Sequence, residues 1–304
     1  MGVLRIQLFG TVRVSHDGPP QSTRLIHAVQ SLLAWLVLHR RRTYARETLA
    51  GLFWGEQTEA RARSCLSTAL WRLRRVLEPD GVTRGTYLIA PSSGEVGFNR
   101  ASEHWLDVAA FEEGVERHLP GRSDAGRALD WSGAEAAVSH YTGDLLEGFY
   151  EEWALRERER LRILYLDSLG SLLNHYSESG ALQQALRCAR QILALDPLRE
   201  EVHREVIRLH LRSGHRALAL QQYESCRTVL EEELGIEPME ETQALYVDLM
   251  KTSTNRHDIT NRSVTPSALS PHGVVPNLQT AAEKLDAARD AVARALRAAE
   301  SDRV

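Results

Sequence analysis

The chain has 304 residues, 43% hydrophobic and 26% charged, with a formal net charge of −4. That balance fits a globular protein with room for two domains and excludes collagen-like, low-complexity and disulfide-stapled chains. No apolar run approaches the roughly 18 residues of a membrane span, and the opening MGVLRIQLFG lacks the basic start and long apolar core of a secretory leader. A cytoplasmic protein with no membrane partner is therefore expected.

The net charge conceals a division. Residues 1–100 hold 14 arginines against 7 acids, whereas the rest of the chain holds 23 bases against 34 acids. A basic first third on an acidic body is the distribution of a polyanion-binding module joined to a part that does not bind polyanions. Cys65, Cys188 and Cys226 are far apart and each sits in a helical pattern, so they read as small buried hydrophobes rather than a disulfide or metal set.

Taken in order, Val3–Phe9 and Thr11–Ser15 alternate apolar and polar residues as half-buried strands do, and Gln21–Ile26 is a candidate third strand. The segments 28–39 and 45–53 predict two helices, the second capped by Thr43 with Glu47 in its first turn. Residues 59–77 predict a third, with Ala62, Leu66, Ala69, Leu70, Leu73 and Leu77 forming an apolar stripe at steps of three and four. At 100° per residue, Arg61, Ser64, Ser67, Thr68, Trp71, Arg72 and Arg75 point away from it, with Arg63 and Arg74 on the flanks. The segments 87–89 and 96–98, joined across Ala90–Gly94, predict a β-hairpin.

Sheet, three helices and hairpin is the order of a winged helix-turn-helix with an N-terminal sheet, the OmpR-type variant. In it the third helix enters the DNA major groove and the hairpin is the wing. Arginine supplies phosphate contacts and bidentate guanine readout, and serine and threonine reach phosphates or base edges. Ser64, Ser67, Thr68 and Trp71 are thus candidates for base-edge or methyl contacts, and Arg61, Arg72 and Arg75 for phosphate or guanine. Thr43, Arg46, Ser92 and Ser93 are candidates for the DNA backbone. Trp71 is bulky for a groove-facing position, and packing on a partner protein or a neighbouring protomer is its alternative role.

The segments LRIQLFG, RETLAGLFWGE, ARARSCLSTALWRLRRVLE, YLIAPSSGEVGFN and WLDVAAFEEGV resemble the N-terminal half of the Streptomyces antibiotic regulatory protein (SARP) family. The stretches GDLLEGFYEEWALRERERLR and 185–242 resemble the bacterial transcriptional activator domain that follows the winged helix there. The resemblance covers residues 3–250. It implies a transcriptional activator that binds direct repeats with protomers side by side, a homo-oligomer on DNA. It also implies recruitment of RNA polymerase through its sigma subunit.

The second half also shows a repeat of its own. Gly180 and Gly214, Ala185 and Ala219, and Leu186 and Leu220 each lie 34 residues apart, the tetratricopeptide period, and Asp196-Pro197 closes the first unit. The second unit departs from the pattern, with Glu231 where a proline would stand. The expected architecture is mainly α: an OmpR-type winged helix-turn-helix (α+β) over 1–100 and an all-α tetratricopeptide-like domain over 104–250. A flexible linker over 251–276 and a C-terminal helix over 277–300 follow. Leu278, Leu285 and Val292 recur at seven-residue spacing in that helix, but its many alanines make a weak seam.

No glycine-rich phosphate loop, G-x-S-x-G elbow or HExxH pair occurs, so no enzyme activity, cofactor or metal is expected. Arg187, Arg190, Arg199, Arg204, Arg208, Arg212, Arg216 and Arg227 form a series in the repeat region. Lining one groove, they would hold a phosphorylated ligand such as a nucleotide; interleaved with nearby glutamates, they are surface charge. A ligand-gated sensor for a nucleotide or small molecule, with a pocket between winged helix and array, is one alternative function. A protein-interaction scaffold built on the array is the other alternative.

Overall fold

The computed structural model describes residues 3–16, 25–91, 94–119 and 129–260, with side chains as far as Lys251. Strand β1 (Leu4–Gln7) buries Leu4 and Ile6 and exposes Arg5 and Gln7, as its alternation requires. It pairs antiparallel with β2 (Arg13–His16), Leu4 opposite His16. The sequence expectation of a third strand at 21–26 fails where it can be examined. Residues 21–24 lie outside the described residues, and the Ile26 carbonyl accepts from Val29 and Gln30 as the start of a helix.

That helix is α1 (His27–Leu38), whose Val29, Leu32, Leu33, Leu36 and Val37 form the centre of the core. α2 (Arg46–Trp54) contributes Leu49 and Ala50, and α3 (Glu59–Leu77) packs against both helices. Wing strands β3 (Leu88–Ile89) and β4 (Gly97–Phe98) pair antiparallel, Leu88 opposite Phe98. Thr43 does not cap α2. Tyr44 exchanges backbone hydrogen bonds with Val96 at 2.8 and 2.7 Å, which keeps the chain extended through that residue. Ala45 then takes the cap position, and the Thr43 hydroxyl donates to Glu95 at the wing.

The sheet's third strand comes from beyond the first hundred residues. β5 (His104–Leu106) lies parallel to β1, giving the order β2-β1-β5. The second region therefore begins with a strand, where the sequence predicts an all-helical array from 104. β5 runs directly into α4 (Asp107–His118), whose buried Asp107 carboxylate accepts from the Leu8 and Phe9 amides at 2.8 and 2.9 Å.

Then follow α5 (Trp131–Val138), α6 (Glu152–Glu178), α7 (Leu182–Leu195), α8 (Glu200–Arg212) and α9 (Arg216–Leu234), each packed on the next. Gly180 and Gly214 close the equivalent turns at φ of 76° and 73°, a left-handed conformation that favours glycine. With Glu231 in place of a proline, α9 continues to Leu234 before Gly235 ends it. α10 (Glu240–Thr260) extends into the stretch expected as linker, because no proline or glycine lies between Pro238 and Pro266. The rest of that stretch and the expected helix 277–300 lie outside the described residues.

Through Leu249 the described residues form one compact unit. The Gly10 amide donates to Asp144 at 2.8 Å and the Leu146 amide to Leu8 at 2.9 Å. On the other side of this joint, His27 Nε2 lies 2.8 Å from Glu151, and Trp35 meets Trp153 edge-on with ring centres 5.4 Å apart.

Candidate nucleic-acid interface

α3 carries two opposed faces. Ala62, Leu66, Ala69, Leu70, Leu73 and Leu77 are buried, all at 5% exposure or less. Arg61, Ser64, Ser67, Thr68, Trp71, Arg72 and Arg75 are all exposed. The helix forms here because residues 59–77 contain no glycine or proline and because Arg74 and Arg75 fall in the last turn, where the helix dipole favours cations.

The exposed face is not uniformly available to an anion. Arg63 pairs with Glu59 one turn back and approaches Glu47 at 3.9 Å. Among the described residues, Arg61, Arg72 and Arg75 form no ion pair. The Arg75 guanidinium lies 5.2 Å from the centre of the Trp71 ring, and Trp71 is 57% exposed. Ser67 and Thr68 donate their hydroxyl protons to the carbonyls of Arg63 and Ser64, at 2.9 and 3.0 Å. The Thr68 oxygen keeps its lone pairs for an outside donor, whereas the Ser67 oxygen also accepts from Arg46 at 3.3 Å.

The wing is fastened to this helix by side chains that sequence reasoning treated differently or missed. Arg46 donates to the Pro91 carbonyl at 3.1 Å and to the Ser67 hydroxyl at 3.3 Å, bridging α2, wing and α3. Arg74 donates to Glu78 at 2.9 Å and to the Ala90 carbonyl at 3.3 Å. The Glu78 side chain, 1% exposed, also accepts from the amides of Gly85, Tyr87 and Leu88 at 3.0, 3.0 and 2.9 Å. One carboxylate thus ties the end of α3 to the first wing strand. The signal was the Arg74–Glu78 spacing of four, which reads as an ordinary surface pair until the loop folds over it.

The structure therefore brings Arg61, Ser64, Ser67, Thr68, Trp71, Arg72 and Arg75 onto one helix face, with Arg46 half-buried beside them. Thr43 sits apart at the wing root, and Ser92 and Ser93 lie outside the described residues.

The arginines of the repeat region are largely committed within the protein. Arg187 pairs with Glu135, Arg199 with Asp196, Arg204 with Glu200, Arg208 with Glu205 and Arg227 with Glu224. Arg212 and Arg216 donate to the Ser177 and Leu249 carbonyls at 2.8 and 2.6 Å. Interleaved surface charge is the arrangement found. Burial pushes the Cys188 and Cys226 thiols up to about 11, as befits cysteines that serve as core hydrophobes.

Residues 106–250 match the bacterial transcriptional activator domain family. The chain is 30% identical over 253 residues to the regulatory protein AfsR of Streptomyces coelicolor, covering 82% of this chain and 24% of that one. It is 25% identical over 261 residues to the transcriptional regulatory protein MoaR1 of Mycobacterium tuberculosis, covering 82% of this chain and 83% of that one. The chain thus spans about a quarter of the AfsR length and most of the MoaR1 length. In fold it is similar to Mycobacterium tuberculosis EmbR, a structure solved in complex with a low-affinity phosphopeptide. The TM-score there is 0.58 at 21% identity, covering 86% of this chain and 71% of that one. Among the described residues, no helix is long and apolar enough to cross a membrane. Behind a winged helix, residues 106–250 thus belong to the bacterial transcriptional activator domain family, in a chain similar to regulatory proteins of Streptomyces and Mycobacterium.

Proposed function

We propose that this chain is a sequence-specific DNA-binding activator. α3 enters the major groove, the wing lies along the backbone, and protomers sit side by side on direct repeats near a promoter. The assembly then helps RNA polymerase to engage through its sigma subunit, in the cytoplasm at the nucleoid. The observation that carries this reading is the α3 surface: one face entirely in the core, the other exposing three unpaired arginines among small hydroxyl side chains, beside a wing fixed to the same helix.

A gel shift followed by a footprint on the DNA upstream of the chain's own gene tests it. A protected pair of direct repeats is expected. Absence of any retarded species at low salt would refute DNA binding, and inverted repeats would refute the side-by-side arrangement. A nucleotide sensor built on the array's arginines draws no support from their pairing with Glu135, Asp196, Glu200, Glu205 and Glu224.

A further inference from the structure

Between the end of α3 and the wing, the chain makes two consecutive turns. The Val82 amide donates to Pro79 at 3.0 Å, and the Thr86 amide donates to Thr83 at 3.1 Å. Arg84 and Gly85 are the central residues of the second turn, and Gly85 has φ of 91°, in the region that favours glycine. The turn cannot swing freely. The Thr86 hydroxyl closes back on Thr83 at 2.6 Å, and the buried Glu78 carboxylate grips the Gly85, Tyr87 and Leu88 amides.

Arg84 is exposed at the apex and lines the cleft between α3 and the wing together with Arg46, Trp71, Arg74 and Arg75. The other cations there are already engaged: Arg46 and Arg74 with internal acceptors, and Arg75 with the Trp71 ring. The carboxylate lining this cleft, Glu78, is taken up by Arg74 and three amides. Among the described residues, Arg84 forms no ion pair.

We infer that Arg84 is a DNA-phosphate contact, presented from a turn that Glu78 locks to the end of the recognition helix. This rests on the DNA-binding reading above. Presented from a fixed turn on the cleft that Arg75 also lines, the Arg84 guanidinium grips the backbone where it passes between α3 and wing. Because it reads phosphate and no base edge, it acts alike on every sequence.

Fluorescence anisotropy with a short fluorescein-labelled duplex of mixed sequence, titrated over a range of salt concentrations, tests the assignment without knowledge of the operator. Each phosphate contact contributes about 0.9 to the slope of log affinity against log salt. Arg84→Ala is expected to lower the slope by about that amount, with Arg84→Lys retaining it as a point charge. Arg227→Ala, on α9 and paired with Glu224, serves as the control that leaves the slope unchanged. A normal slope in Arg84→Ala beside a reduced slope in Arg75→Ala overturns the assignment and leaves DNA binding standing. Normal slopes in both overturn the placement of α3 against DNA as well, and a wild-type chain that gives no anisotropy change at low salt overturns DNA binding itself. Unchanged thermal unfolding of Arg84→Ala establishes that the loss is one of binding and not of fold.

Discussion

Ser67 and Thr68 each bond back to the helix carbonyl four residues earlier, and Ser67 also accepts from Arg46, so on the proposed DNA-facing side Thr68 offers acceptors first and a donor only after its hydroxyl rotates. Thr68→Ala and Ser64→Ala should therefore alter the preferred site more than the nonspecific affinity. Selection from a randomised duplex library checks this, and an unchanged consensus would remove them from base reading. Arg75→Ala should weaken binding to all sequences and reduce the salt slope by about one ion; the same anisotropy titration measures it. The faces of α3 were legible residue by residue because a helix sets the direction of its side chains internally. Thr43 and Arg46 were not, because Glu95 and Pro91, their partners, lie far along the chain on the wing.

The wing was visible in the sequence as a hairpin, but its attachment was not. Glu78 looks like a helix-end acid, and only the folded loop shows it buried under three amides and one guanidinium. Removing one partner of a buried ion pair strands the other, at a cost of about 3–5 kcal/mol. Glu78→Ala should therefore lose on the order of 3 kcal/mol of stability in urea unfolding. Glu78→Gln, which keeps an acceptor for the amides, should lose less. A loss under about 1 kcal/mol in Glu78→Ala would mean that the strut is dispensable. Among the helices, the repeat was legible from its period, and the longer α9 follows from Glu231 standing where the first unit has a proline.

At the scale of the whole molecule, the winged helix and the activator domain share one core, whose partners lie too far apart along the chain for local patterning to pair them. Trp153 of α6 packs on Trp35 and Phe53. Trp153→Ala should cost about 3–5 kcal/mol and lower a single calorimetric transition; two separated transitions would show that the halves unfold independently. Beside it, burial pushes the Glu151 carboxyl up, but hydrogen bonds from its own amide, His27 and Ser31 outweigh this and hold it below the ordinary value of 4.5. A carboxylate depressed in the folded state stabilises above its unfolded value and loses that contribution as pH falls through the folded one. The melting temperature should thus decline below pH 4.5, and Glu151→Gln should flatten that decline. The strand β5 carries a consequence of another kind. It closes the sheet from a hundred residues away, and the Asp107 that follows it holds the Leu8 and Phe9 amides. A reading head transplanted into a relative by a cut at residue 100 would arrive with β1 bare along one edge. If α3 reads DNA as proposed, an exchange of reading heads between relatives keeps its sheet closed only when β5 and Asp107 travel with it.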